Sequence, residues 1–216
     1  MIVFSLIIPD HSCLQRHLPD MLCSAPLRSA SRNMCVATSL TSTRLAAVRK
    51  GACATQVRHI HVEKRMDEKG IVLPPAPKPA ANYNITCRAN GNMLYISGHL
   101  PLQNDGTLMT GCAGADGIDV DQGYAAARQC GLNIVATLKN HLGDLDRVKQ
   151  VVKVFGIVNS ATDFKLQHKI MDGCSDVIMD IFDKPVGYHA RSAIGTNTLP
   201  LDTLVEVEAI VQIKED

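Results

Sequence analysis

Residues 204–213 read LVEVEAIVQI, in which apolar side chains recur at every second position. Successive side chains of a strand point to opposite faces, so Val205, Val207 and Val211 share one face and Glu206 and Glu208 share the other. The pattern predicts a strand that buries its valines beneath helices and directs two carboxylates to a face that helices leave uncovered.

The segments upstream of this strand predict two helices and two further strands. Ala190–Gly195 predicts the preceding strand, and the β-branched run Val148–Val158 predicts a central one. Apolar side chains recur every three to four residues from Asp119 to Leu142, which predicts a long helix. A second helix is expected from Asp163 to Phe182.

A hairpin is predicted ahead of the first helix, because Asn90-Gly91 separates the runs Tyr83–Arg88 and Met93–Ser97. The order β-β-α-β-α-β-β predicts an α+β fold with a mixed sheet and two helices on one face. Two helices cannot cover both faces of a sheet of five or six strands, so a second copy of the chain is expected to cover the other face.

The N-terminal third of the chain differs in charge from the rest. Residues 1–66 hold nine Lys/Arg and three Asp/Glu, and Met21–Val62 has no acidic residue at all. This Arg- and Ser-rich composition is typical of a mitochondrial transit peptide. The alternatives are an untargeted disordered leader and upstream sequence read from too early a start. We expect a disordered leader (1–66), a Pro-rich lead-in (67–82) and a folded domain (83–216). The protein is expected in the mitochondrial matrix, and a form that starts at an internal Met is expected in the cytosol.

Composition argues against several classes of function. The eight cysteines form no C-x-x-C pair, so a zinc ribbon is not expected, and no metal site is predicted. No apolar run approaches the ~18 residues of a membrane-spanning helix. Residues 67–216 carry a net charge of −5 and the chain has no Trp. That balance argues against a nucleic-acid partner.

The last two predicted strands carry the residues best suited to chemistry. Arg191 lies between Ala190 and Ser192, and these small neighbours leave its guanidinium free to bind a carboxylate. Glu206 and Glu208 lie on the next strand. The residues alone leave an alternative open, a cross-strand ion pair that contributes only to stability.

Three segments resemble the Rid/YjgF family of reactive-intermediate deaminases, whose members are often labelled endoribonuclease L-PSP. They are His189–Gly195 with Leu199-Pro200, Val205–Ile210, and Gly91–Pro101. Tyr83 lies where the family has a conserved Tyr. The resemblance extends from about Pro79 to Ile213.

The resemblance implies a chorismate-mutase-like homotrimer with active sites between subunits, in which no metal or organic cofactor takes part. It implies hydrolysis of 2-imino acids such as 2-iminobutanoate and 2-iminopropanoate to 2-keto acids and ammonia. In that interpretation Arg191 binds the substrate carboxylate and Glu206 positions the attacking water. Tyr83 and Ser97 line the pocket, and backbone groups near Ala193 contact the imine nitrogen.

The chain also departs from the family pattern, which indicates a divergent subfamily. His189 replaces a Pro or Ala, Ala193 replaces a common Cys, and His168 aligns with an Asn. His168 and His189 are candidate acid/base groups; alternatively they are an exposed helix residue and a strand-edge residue. Two other functions are weighed: a non-catalytic trimer that binds small carboxylates or a protein partner, and an endoribonuclease or translation inhibitor, which the charge of −5 disfavours.

Overall fold

A computed structural model describes residues 61–115 and 117–215 as one five-stranded sheet packed against helices. Its elements in chain order are α1 (Val62–Glu68), β1 (Thr86–Ala89), β2 (Met93–His99), α2 (Val120–Leu142), β3 (Val148–Asn159), α3 (Gln167–Phe182), β4 (Ala190–Thr196) and β5 (Val205–Ile213). The transit-peptide prediction lies almost wholly outside the described residues. Within those ranges, no helix is long and apolar enough to cross a bilayer.

The strands lie in the order β1-β2-β5-β3-β4. All neighbours are antiparallel except β3 and β4, which are parallel because α3 forms the crossover between them. The predicted α+β fold with a mixed sheet is therefore confirmed. The order leaves β1 and β4 at the two edges and places β5 at the centre.

Local signals in the sequence account for the ends of the first hairpin and of α2. Asn90 and Gly91, two of the three residues between β1 and β2, have φ of 49° and 74°, a left-handed conformation that Asn and Gly favour. The Asp119 side chain accepts a hydrogen bond from the Gln122 amide at 2.8 Å, and Gln122 Oε1 accepts one from the Asp119 amide at 3.0 Å. Gly143 ends the helix with φ 77°.

One face of the sheet is buried beneath α2 and α3, as predicted. In β5, Val205, Val207 and Val211 are fully buried, whereas Glu208 on the other face is exposed. We call this second face the open face. It also carries large apolar side chains, since Tyr95 and Ile194 are 45% and 47% exposed.

A third helix, α1, is a correction to the predicted order. Residues 62–66, expected to belong to a disordered leader, are part of α1, and Val62 and Met66 are buried in the core. The Val62 amide donates to Asp146 at 2.9 Å, and Glu63 accepts from Lys139 at 2.6 Å. The folded region therefore begins at α1, well before residue 83, where the folded domain was expected to start. A seven-residue helix has too short an apolar pattern to be predicted beside a basic leader.

Candidate functional site

A β-bulge in β2 places Gly98 beneath the side chain of Glu206. The register pairs Ile96 with Ala209 and His99 with Val207, so Ser97 and Gly98 together oppose one residue of β5. A Cβ on Gly98 would lie 1.8 Å from Glu206 Oε1. The carboxyl group therefore lies directly over bare backbone, and a side chain at position 98 would push it out of this place.

The Glu206 carboxyl is electrostatically perturbed. Burial, followed by the negative charge of Glu208 two residues along the same face, raises the pKa of Glu206 above its usual value. A carboxyl whose pKa is raised beside a cleft is a candidate for accepting and returning protons at neutral pH. Glu206 is thus the group on the open face best suited to acid–base chemistry.

Two cavities are each lined by one residue of the bulge. One, of ≈ 360 Å³, has Tyr83 and Gly98 among its lining residues and is otherwise mainly apolar. The other, of ≈ 240 Å³, is lined by Ser97, Lys153 and Glu208 among others. Ser97 Oγ donates to the Asn84 carbonyl at 2.9 Å, which ties the bulge to the segment that carries Tyr83. We call Tyr83, Ser97, Gly98 and Glu206 the glutamate half-site.

Arg191 points away from this half-site, toward α3. Its Nη1 donates to Asp172 Oδ1 and to Ser175 Oγ, both at 3.0 Å, and its Nη2 donates to the His168 carbonyl at 3.2 Å. The alternative of a cross-strand ion pair with a glutamate of β5 is wrong. Strand β3 lies between β4 and β5, and Arg191 projects from the helix-covered face.

The Arg191 contacts continue into a hydrogen-bonded chain. His189 Nδ1 donates to the Gly187 carbonyl at 2.6 Å, and its Nε2 is therefore free to accept the Ser175 hydroxyl proton at 3.1 Å. Burial, with a smaller effect of the Arg191 charge, lowers the pKa of His189, which favours the neutral ring that this chain of bonds requires. His189 thus supports Ser175, and Ser175 supports Arg191.

The predicted site residues therefore fall into two groups within one chain. Tyr83, Ser97 and Glu206 lie in the glutamate half-site. Arg191, Ala193 and His168 lie at the far edge of the sheet, on the side of α3. Ala193 packs partly buried against the core, and the His168 side chain is exposed. We call Arg191 with Asp172, Ser175 and His168 the arginine half-site.

Three residues of the two half-sites were not singled out from the sequence. Gly98 interrupts a strand of apolar and aromatic residues, and such a glycine is a recognisable signal of a bulge or a close approach. Asp172 and Ser175 are three positions apart on α3, so they share one face of that helix. The sequence does not show what this face contacts, whereas the structure shows that the Arg191 side chain points toward it.

His99 follows the bulge and fixes the end of β2. Its Nδ1 donates to the Ser97 carbonyl at 2.6 Å, and its Nε2 accepts from the Thr137 hydroxyl at 2.8 Å. The ring is 2% exposed, and burial lowers its pKa. His99 is therefore a neutral, satisfied group that ties the bulge to α2 rather than a mobile acid or base.

One cluster of acidic groups has the spacing of metal ligands. Oxygen atoms of Glu63, Asp144 and Asp146 lie within 4.8 Å of one another. These carboxylates already accept backbone amides: Asp146 from Val62, Glu63 from Leu145 and Asp144 from Asp146. Glu63 also accepts from the Lys139 ammonium at 2.6 Å. The cluster caps the short turns around α1 and is explained by those bonds.

Comparison with known families gives a match over most of the chain. Residues 63–213 match the family described as "YjgF/chorismate_mutase-like, putative endoribonuclease". The match begins inside α1 and ends at the last residue of β5. It therefore covers both half-sites and the helix that the sequence did not predict.

Individual relatives are similar over the same region. Protein TCP17 of Trypanosoma cruzi is 43% identical over 70% of this chain and 94% of its own length. A 2-iminobutanoate/2-iminopropanoate deaminase of Dermatophagoides farinae is 27% identical over 69% of this chain and all of its own length. A solved structure of a protein of unknown function from Agrobacterium tumefaciens is 38% identical with a TM-score of 0.64, covering 72% of this chain and 96% of that one.

Proposed function

This chain belongs to the YjgF/chorismate mutase-like (Rid) family, and from that membership we propose that it hydrolyses 2-imino acids to 2-keto acids and ammonia. The observation that carries the proposal is the Glu206 carboxyl, which lies over Gly98 beside a cavity and has a raised pKa. The deaminase of Dermatophagoides farinae supports the choice of substrate class, as a relative 27% identical.

The proposed reaction adds water across the C=N bond. Glu206 accepts a proton from water as the water oxygen bonds to the imine carbon and the C=N electron pair moves to the nitrogen. Glu206 then gives that proton to the nitrogen, which yields a carbinolamine and an ionised Glu206. Glu206 next accepts the hydroxyl proton of that intermediate as the carbonyl forms and the C–N bond breaks, and it delivers this proton to the leaving nitrogen. The products are the 2-keto acid and ammonia, and Glu206 ends in its starting state.

The proposed substrate carboxylate binds Arg191 of a second copy. Within one chain, Arg191 and Glu206 project from opposite faces of the sheet with β3 between their strands, so one substrate cannot reach both. We propose a homotrimer in which the arginine half-site of each copy meets the glutamate half-site of its neighbour. The open face supports this arrangement, because a second copy packed on it would bury the exposed side chains of Tyr95 and Ile194.

Arg191 retains donors for such a ligand. Its contacts to Asp172, Ser175 and the His168 carbonyl use Nη1 and Nη2, whereas Nε makes no hydrogen bond within the described part of the chain. Nε and the second Nη2 hydrogen lie on one edge of a guanidinium and suit a bidentate carboxylate. The proposed substrate therefore binds beside Asp172 and does not replace it.

The test follows imine loss with the full chain. Amino-acid oxidase generates 2-iminobutanoate and 2-iminopropanoate in situ, and semicarbazide traps the imine that remains. We expect faster loss with the protein and a fall of about 10²–10⁴-fold for Glu206→Gln. Arg191→Ala should lose activity as well, and Glu68→Gln, an exposed glutamate of α1, is the matched control. A protein that does not accelerate imine loss, or a fully active Glu206→Gln variant, would contradict the proposal.

The basic residues ahead of the fold are the basis of a second proposal, mitochondrial targeting. Residues 1–60 contain seven Lys/Arg and two Asp/Glu. Fusing residues 1–60 to a fluorescent reporter tests it directly: import with cleavage supports targeting, and a reporter that stays in the cytosol opposes it. A version with the arginines replaced by glutamine is the control.

A further inference from the structure

The larger cavity has a more extensive apolar lining than the side chain of a small imino acid could contact. We call this apolar lining the wall. Beyond Tyr83 and Gly98, the cavity lining includes Ile85, Leu102, Leu108 and Leu201. We infer that this wall holds the substrate side chain, so that the protein prefers 2-imino acids with long apolar side chains, such as those from norleucine and leucine, over that from alanine. The inference rests on the proposed function, because it places the reacting carbon at Glu206.

Two of the wall leucines are held rigidly. An isolated antiparallel β-bridge pairs Leu102 with Leu108 across a tight loop. Within that loop the Gln103 amide donates to the Thr107 carbonyl at 2.8 Å. The Leu102 carbonyl accepts from side chains of α2, namely Gln129 at 2.9 Å and Asn133 at 3.1 Å. This part of the wall is therefore preformed, which a specific apolar pocket requires.

Leu201 closes the wall from the other side in a conformation that leucine rarely adopts. Its φ is 58° and ψ is 20°, in the left-handed region, and its side chain is 76% exposed. The next residue, Asp202, anchors the turn, because its side chain accepts from Asn159 at 3.2 Å and its carbonyl accepts from Gly111 at 3.0 Å. A strained, exposed leucine at a cavity is explained if a ligand covers it.

The position of the cavity relative to Glu206 sets which part of a substrate enters it. Gly98 borders the cavity and underlies the Glu206 carboxyl. A substrate whose imine carbon is at that carboxyl can extend its side chain along the leucines. A methyl side chain would leave them uncovered, whereas each methylene added in a hydrophobic pocket is worth on the order of tenfold in selectivity.

The experiment compares imines made from alanine, 2-aminobutyrate, leucine and norleucine with the full chain. We expect kcat/KM for the norleucine imine to exceed that for the alanine imine by at least about tenfold. Leu201→Ala should reduce this ratio several-fold. Because the side chain is exposed, the variant should keep the fold, and its Tm measures whether it does. Val72→Ala removes a comparably exposed side chain (78%) that does not line the cavity, and it should leave the ratio unchanged.

The outcomes separate the inference from the function on which it rests. Turnover of all four imines with an equal or higher value for alanine, or a ratio insensitive to Leu201→Ala, overturns the inference and leaves the deaminase proposal standing. If no imine is turned over, the deaminase proposal fails, and the cavity is judged by the thermal shift with 2-ketohexanoate against pyruvate. A larger shift with 2-ketohexanoate that Leu201→Ala abolishes supports an apolar site; equal shifts overturn it.

Discussion

Arg191 holds a carboxylate of its own chain: its Nη1 lies 3.0 Å from Asp172 Oδ1, and the two side chains are 23% and 36% exposed. The pair is only partly shielded from solvent, so its energy is that of a modest ion pair rather than of a buried one. Asp172 nevertheless cancels much of the charge that would attract a substrate carboxylate. We therefore expect Asp172 to weaken the attraction of Arg191 for a second carboxylate.

Removing the Asp172 charge should strengthen binding of small carboxylates. We expect Asp172→Asn to lower the Kd for 2-ketobutyrate about fivefold, equivalent to ~1 kcal/mol, because the guanidinium charge is no longer partly neutralised. Calorimetric titration at low and high salt measures the change. Asp176→Asn alters the same charge on the same helix without touching Arg191 and is the control. Weaker binding in Asp172→Asn would show that Asp172 chiefly positions the guanidinium.

The raised pKa of Glu206 makes a prediction about stability. The folded state binds this proton more tightly than the unfolded chain, so stability falls as pH rises from the usual carboxyl pKa of 4.5 through the folded value. Glu206→Gln should therefore have a higher Tm than the wild type at pH 7, by on the order of 2 °C. The difference should disappear below pH 4, and Glu68→Gln should show none. A lower Tm at pH 7 would contradict the electrostatic cost.

Two glycines of the helix pair should respond differently to the same substitution. A Cβ on Gly173 would lie 2.1 Å from the Tyr124 carbonyl oxygen, which is backbone of α2, whereas a Cβ on Gly123 would meet the flexible end of Ile170 at 2.5 Å. Gly173→Ala should lower the free energy of unfolding by about 3 kcal/mol. Gly123→Ala should cost less than about 1 kcal/mol, because gained helix propensity offsets the crowding. Urea denaturation measures both, and equal losses would mean that the helices can separate.

Helix α1 should contribute measurably to stability. Met66 is 7% exposed and packs in the core, so Met66→Ala should lower the free energy of unfolding by about 2 kcal/mol or more. Lys64, on the outer side of the same short helix, should be replaceable by alanine within about 0.5 kcal/mol. If both variants unfold at the wild-type denaturant concentration, α1 is not part of the cooperative unit.

The bounds of an element were predicted closely where the sequence carries a strong local signal, such as a helix cap or a strict alternation of apolar residues. Helix α2 was expected from Asp119 and begins at Val120 behind the expected cap, and β5 alternates as its valines and glutamates indicated. Helix α3 was expected from Asp163 but begins at Gln167. No capping side chain bonds at its first turn, so the apolar period alone could not locate the start.

The site was less predictable than the fold, because it depends on which strands become neighbours. Arg191 and Glu206 are close in sequence on consecutive strands, and consecutive strands usually pair. Here α3 returns the chain to the far side of β3, so β4 pairs with β3 and β5 enters between β3 and β2. No residue pattern within β4 or β5 records that order, and the partner of Arg191 therefore followed only from the structure.

The bonds that dock α1 also limit how the chain can be shortened. The Val62 amide binds Asp146, and Glu63 binds both Lys139 and the Leu145 amide. A maturation protease that leaves these bonds intact has to cut on the N-terminal side of Val62. A polypeptide initiated at Met66 would lack Val62 and Glu63, leaving Leu145 and Lys139 without those partners. Cleavage before Val62 and initiation at Met66 would thus yield products that differ in the stability of α1. Limited proteolysis can distinguish them.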